Sequence, residues 1–107
     1  MQQTDARLIR LAPEDNIAAV TTTIEAGERL VFEGRTIQVL DRIPTGHKMA
    51  LVFIAAGQKV IKYGAPIGSA TREIRPGEYV HIHNLKSDYL PTYTRQYAYG
   101  AQQQRQY

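Results

Sequence analysis

The sequence predicts an all-β domain of short strands and many glycine turns, with at most short helical turns. Three observations point there. Apolar and polar residues alternate over short windows. Gly- and Pro-containing turns follow one another too closely for long helices. One turn pattern also recurs along the chain. A chain of 107 residues can bury a single modest core without metals or disulfides. Its 43% hydrophobic and 21% charged residues fit a globular protein rather than a disordered or membrane-embedded one.

Taken in order, the alternating windows are Arg7-Leu8-Ile9-Arg10-Leu11, Leu30-Val31-Phe32, Thr36-Ile37-Gln38-Val39-Leu40 and Tyr79-Val80-His81-Ile82-His83, each read as a strand. Between Asp15 and Val20 a helical turn is allowed, with Asp15 or Asn16 as cap, but the β-branched run Thr21-Thr22-Thr23 opposes its extension. The recurring turn is Ile-x-(Ala/Pro)-Gly-x-x-(Leu/Val), found at Ile24–Leu30, Ile54–Val60 and Ile74–Val80. Its glycine provides the positive φ of a type II turn, and the flanking aliphatic residues bury on either side. Gly64-Ala65-Pro66 reads as a further sharp turn. Residues 1–90 form the expected domain. Residues 91–107, with four tyrosines, five glutamines and almost no aliphatic side chain, read as a C-terminal tail, either a docking surface for a partner or a frayed terminus.

Composition removes several function classes. Without cysteine there is no disulfide framework, thiolate nucleophile or cysteine-ligated metal. A net charge of +3, scattered in ones and twos, lacks the basic stripe of a nucleic-acid binder and better suits an anionic small molecule. The N-terminus lacks a signal-peptide pattern and no apolar run reaches the length of a membrane span, so a cytoplasmic protein without membrane contact is expected.

The candidate site residues gather around the histidines. His47 lies in Gly46-His47-Lys48; His81 and His83 lie in His81-Ile82-His83-Asn84. On a strand, His81 and His83 would share one face with Ile82 turned to the core. Two imidazoles there could divide acid and base roles or bind an anion; a solvated face with two histidines is the plainer alternative. No metal ligand is assigned, although His81 and His83 are the pair that could serve. Lys48, Lys59, Lys62, Arg72 and Lys86 supply cations to hold a carboxylate, and Asn84 adds an amide. The sequence contains no phosphate loop, Ser-His-Asp order or paired carboxylates that would complete an active site.

The ordered set G-H-K at Gly46-His47-Lys48, K-Y-G-x-x-I-G at Lys62–Gly68 and H-x-H-N at His81–Asn84 resembles the N-terminal domain of the altronate/galactarate dehydratase family. Ile43–Leu51, Ile54–Thr71 and Pro13–Ala18 extend the likeness over about residues 11 to 87. The resemblance implies an SAF-type β-clip fold. It also implies a place in the dehydration of sugar acids, typically with iron (Fe2+) held mainly by a larger domain. That domain is not expected within these 107 residues, and the likeness extends to separate small subunits, including the alpha subunit of sulfolactate sulfo-lyase, where sulfite leaves instead of water. By this resemblance His47, His81 and His83 are the catalytic candidates. Lys48, Lys62 and Asn84 are the substrate-binding candidates, and a large catalytic subunit is the expected partner. Self-association is left open. A stand-alone sugar-acid-binding or regulatory module is the alternative, and an ice- or polysaccharide-binding domain ranks third.

Overall fold

The computed structural model describes residues 3–88. Among them are nine strands and no helix: β1 (Leu8–Ile9), β2 (Ile17–Val20), β3 (Arg29–Phe32), β4 (Arg35–Gln38), β5 (Lys48–Ala50), β6 (Lys59–Lys62), β7 (Ala65–Ala70), β8 (Tyr79–Val80) and β9 (Leu85–Lys86). A four-stranded sheet has the order β1-β2-β5-β8, β3 and β4 form a hairpin, and a three-stranded sheet has the order β6-β7-β9. All pairings are antiparallel. The all-β expectation therefore holds; the tail expected at 91–107 lies outside the described residues.

The recurring turn organises the molecule, and there are four copies rather than three. Ile43-Pro44-Thr45-Gly46-His47-Lys48-Met49 is the additional copy, hidden in sequence by Thr45 in the Ala/Pro position and Met49 in the Leu/Val position. Each copy closes an i to i+3 hydrogen bond: Glu28 N–H to Glu25 at 3.3 Å, His47 to Pro44 at 3.0 Å, Gln58 to Ala55 at 2.9 Å and Glu78 to Arg75 at 3.0 Å. The glycine at the third position of each has φ between 84° and 93°, which makes these type II turns. The leading isoleucines pair as isolated bridges, Ile24 with Ile43 and Ile54 with Ile74, and all four are fully buried.

The chain is thus a two-copy repeat of about thirty residues, and its hydrogen bonds repeat with it. Gly27 N–H donates to the Val39 carbonyl as Gly57 does to Ala70, and Gly46 to Val20 as Gly77 does to Ala50. Each copy carries a hairpin whose two turn residues have positive φ, Glu33-Gly34 in one and Tyr63-Gly64 in the other, as a type I′ turn requires. One core contains Leu8, Val20, Ile24, Leu30, Val39 and Ile43 with Met49; the other contains Ile17, Ile54, Val60, Ile74, Val80 and Leu85. Strand β5 joins them, pairing with β2 on one side and β8 on the other.

Two local expectations are corrected. Residues 17–20 form a strand, not a helical turn, because the side chains before it serve the neighbouring hairpin instead of a helix N-terminus. Asp15 accepts the N–H groups of Tyr63 (2.8 Å) and Gly64 (2.7 Å). Asn16 accepts from Ile61 N–H (2.8 Å) and donates to the Lys59 carbonyl (3.0 Å), completing the irregular β6–β7 pairing between Val60 and Ile61. Burial alone would raise the Asp15 pKa, but the N–H groups of Gly64, Tyr63, Ala12 and Leu11 outweigh it and hold the carboxylate ionised. The sharp turn expected at Gly64-Ala65-Pro66 falls one step earlier, on Tyr63-Gly64. Pro66 sits within β7 before its pairing with β9 begins at Ser69, so its missing N–H breaks no bond of that pairing.

Candidate functional site

Lys48 is the first residue of β5, set between Ala19 of β2 and Val80 of β8. This central position leaves the residue only 5% exposed. Burial, and secondarily the charge of Lys62, push its ammonium down to about 8. An amine there can hold an anion at neutral pH and exchange a proton slightly above it.

His47 owes its freedom to Pro44. In two of the other turns the residue after glycine folds back to cap the N–H at the first turn position, Glu28 onto Glu25 (3.0 Å) and Gln58 onto Ala55 (2.9 Å). Glu78 does the same to Arg75. In the remaining turn the first position is Pro44, which has no N–H to cap. The residue after Gly46 is therefore released from that duty, and His47 turns its ring to Tyr79 instead. His47 Nδ1 lies 2.6 Å from the Tyr79 hydroxyl.

Tyr79 is the centre of the cluster. Its ring lies nearly parallel to His81 (9°, centroids 5.5 Å apart) and contacts His47 at 5.5 Å and His83 at 5.6 Å. His47 and His81 meet edge to face at 5.2 Å. Burial raises the Tyr79 pKa, so the phenol keeps its proton. Burial also lowers that of His81, with Lys48, His47 and His83 adding repulsion, so this imidazole is held neutral. Its Nδ1 is buried without a hydrogen-bond partner.

The strand expected through His83 ends instead at Val80. The chain turns over His81–Asn84, and Ile82, expected in the core, is 66% exposed. Asn84 causes the turn: its Oδ1 accepts from His81 N–H (2.9 Å), its Nδ2 donates to the Tyr79 carbonyl (2.9 Å), and its own N–H donates to the His81 carbonyl (3.1 Å). The two histidines nonetheless reach the same tyrosine ring.

The structure therefore brings together His47, Lys48, His81 and His83, with Lys62 close enough for its charge to be felt at Lys48. Asn84 stands behind this group, fully buried and committed to backbone. Lys59 lies apart, paired with Asp88 at 2.7 Å. Tyr79 was not singled out from sequence, although its period-two spacing with His81 was visible. The 330 Å³ cleft lined by Thr4, Leu8, Arg10 and Phe32 involves none of these residues. The group is rich in imidazole and graded in exposure, with Lys48 buried, His47, Tyr79 and His81 half-buried and His83 exposed.

These residues do not by themselves fit an iron centre. Among the described residues no group of three or more His, Asp or Glu side chains could hold a metal ion. The three imidazoles each contact the Tyr79 ring, and His47 Nδ1 is engaged by its hydroxyl. No helix among the described residues is long and apolar enough to cross a membrane.

A duplicated set of type II turns carrying a Lys, His and Tyr cluster on its central sheet describes a small all-β domain of SAF type. The chain belongs to the altronate/galactarate dehydratase SAF domain family, which it matches over residues 6–88. It is 41% identical over 80 residues to altronate dehydratase of Bacillus subtilis (strain 168), covering 75% of this chain and 16% of that protein. It is 43% identical over 74 residues to the (2R)-sulfolactate sulfo-lyase subunit alpha of Chromohalobacter salexigens, covering 64% of this chain and 79% of that subunit. Galactarate dehydratase (L-threo-forming) of Escherichia coli (strain K12) is 35% identical over 74 residues, 14% of its length. The chain thus spans a small part of the dehydratases it matches and most of a lyase alpha subunit.

Proposed function

We propose that this chain is the small subunit of a hydroxy-acid lyase that eliminates water, or sulfite, from an aldonate, aldarate or sulfolactate together with a larger catalytic subunit. The observation that carries this reading is the buried Lys48 amine, at a pKa of about 8, beside a group of three histidines and a tyrosine. Elimination next to a carboxylate needs that carboxylate neutralised, a proton removed and a leaving group protonated. Lys48 and Lys62 supply positive charge for the carboxylate, and the imidazoles supply groups that hold or move protons. The larger subunit supplies the rest of the site. Any iron, as the family resemblance implies, would be held mainly by that subunit.

The test is to capture the tagged chain from its native lysate and assay the eluate for iron and for elimination on aldonates, aldarates and sulfolactate. Recovery of a large partner with substrate-dependent release of keto acid or sulfite is expected. A solitary chain that binds sugar acids without turnover would replace this reading with that of a binding or regulatory module.

A further inference from the structure

We propose that Tyr79 is a positioning residue that fixes the tautomer of His47, so that His47 offers an anionic ligand a hydrogen from Nε2 and not a lone pair. A neutral imidazole carries one N–H, and the bond made by one nitrogen decides which. The Tyr79 hydroxyl is 2.6 Å from His47 Nδ1, and the half-buried phenol keeps its proton. With the phenol as donor in this short contact, Nδ1 accepts and the imidazole proton resides on Nε2. Nδ1 is then unavailable, and Nε2 can only donate.

The surroundings hold Tyr79 in place for this role. Its backbone N–H donates to Asp41 Oδ2 at 3.0 Å, its carbonyl accepts from Asn84 at 2.9 Å, and its ring is stacked on His81. The Pro44 turn leaves His47 free to meet it. In this arrangement His47 stabilises negative charge on a bound oxygen, a role different from that of a base. The consequence for turnover rests on the lyase reading above; the tautomer itself does not.

The first measurement is a long-range proton–nitrogen NMR spectrum of the imidazoles at neutral pH, in the native chain and in Tyr79→Phe, which removes only the hydroxyl. The expected result is a single His47 tautomer, protonated at Nε2, that becomes a mixture of both forms in Tyr79→Phe. A native His47 protonated at Nδ1, or a His47 signal unmoved in a folded Tyr79→Phe, would overturn the proposal. The native spectrum alone decides the first of these, so the test survives even if the variant does not fold. In the assembled lyase, His47→Gln, whose amide can still donate, is expected to retain more activity than His47→Ala. Equal loss in both would overturn the donor role. Absence of any lyase activity would bear on the subunit reading and leave the tautomer result standing.

Discussion

Burying Lys48 makes the stability of the domain depend on pH in a stated direction. Its pKa falls from an ordinary 10.5 to about 8 on folding. Between those values the unfolded chain holds a proton there that the folded chain does not, so stability rises as pH climbs from 8 to 10.5. The gain is on the order of 2 kcal/mol once solvent screening is allowed for. Lys48→Met should abolish that portion of the rise, checked by comparing urea midpoints of the two proteins at pH 7.5 and pH 10. Asn84 is a second residue with a definite cost. Asn84→Ala strips partners from the Tyr79 carbonyl and the His81 N–H, at about 1–3 kcal/mol for each group left buried and unpaired. Thermal unfolding measures the loss, and the His81 ring signals should move with it.

Among the elements, the four type II turns have the same backbone and different side-chain duties, which makes their variants informative in pairs. Gln58→Ala removes the cap on Ala55 N–H and should cost about 0.5–1.5 kcal/mol, whereas His47→Ala uncaps nothing at Pro44 and should cost the turn itself less. Gly57→Ala faces open space and bears chiefly the left-handed penalty of about 1–2 kcal/mol. Gly77→Ala has the same sign of φ, but its added Cβ would lie 2.1 Å from the Gln38 carbonyl oxygen, so backbone must move as well. Its denaturation midpoint should fall well below that of Gly57→Ala. These turns were also the most legible part of the sequence, because glycine spacing and flanking aliphatics report backbone conformation directly. What was not legible depended on side chains serving distant backbone. Asp15 and Asn16 have the composition of a helix cap, yet the hairpin groups they hold lie more than forty residues away. His81-Ile82-His83 alternates like a strand until Asn84 bends it.

For the whole molecule, two cores share β5, so damage to either should be felt by both. Ile24→Ala and Ile54→Ala each open a void at a fully buried bridge and should cost about 2–5 kcal/mol. Circular dichroism and tyrosine fluorescence should still report one coincident transition; separate transitions would show that the copies unfold independently. The grouping of His47 and Lys48 with His81 and His83 was foreseen only through family resemblance, since periodicity cannot bring residues more than thirty apart onto one sheet. Tyr79, the residue that joins them, was missed because a tyrosine in a strand has an ordinary explanation in packing. The proline at the head of one turn has a consequence for how such a domain diversifies. Three of the four equivalent positions owe their identity to holding the scaffold, and change there is penalised before any new chemistry can be tried. Position 47 carries no such debt, so natural variation at that place is free to explore acids, amides or imidazoles on their merits toward a ligand, while the internal copies preserve the architecture around it.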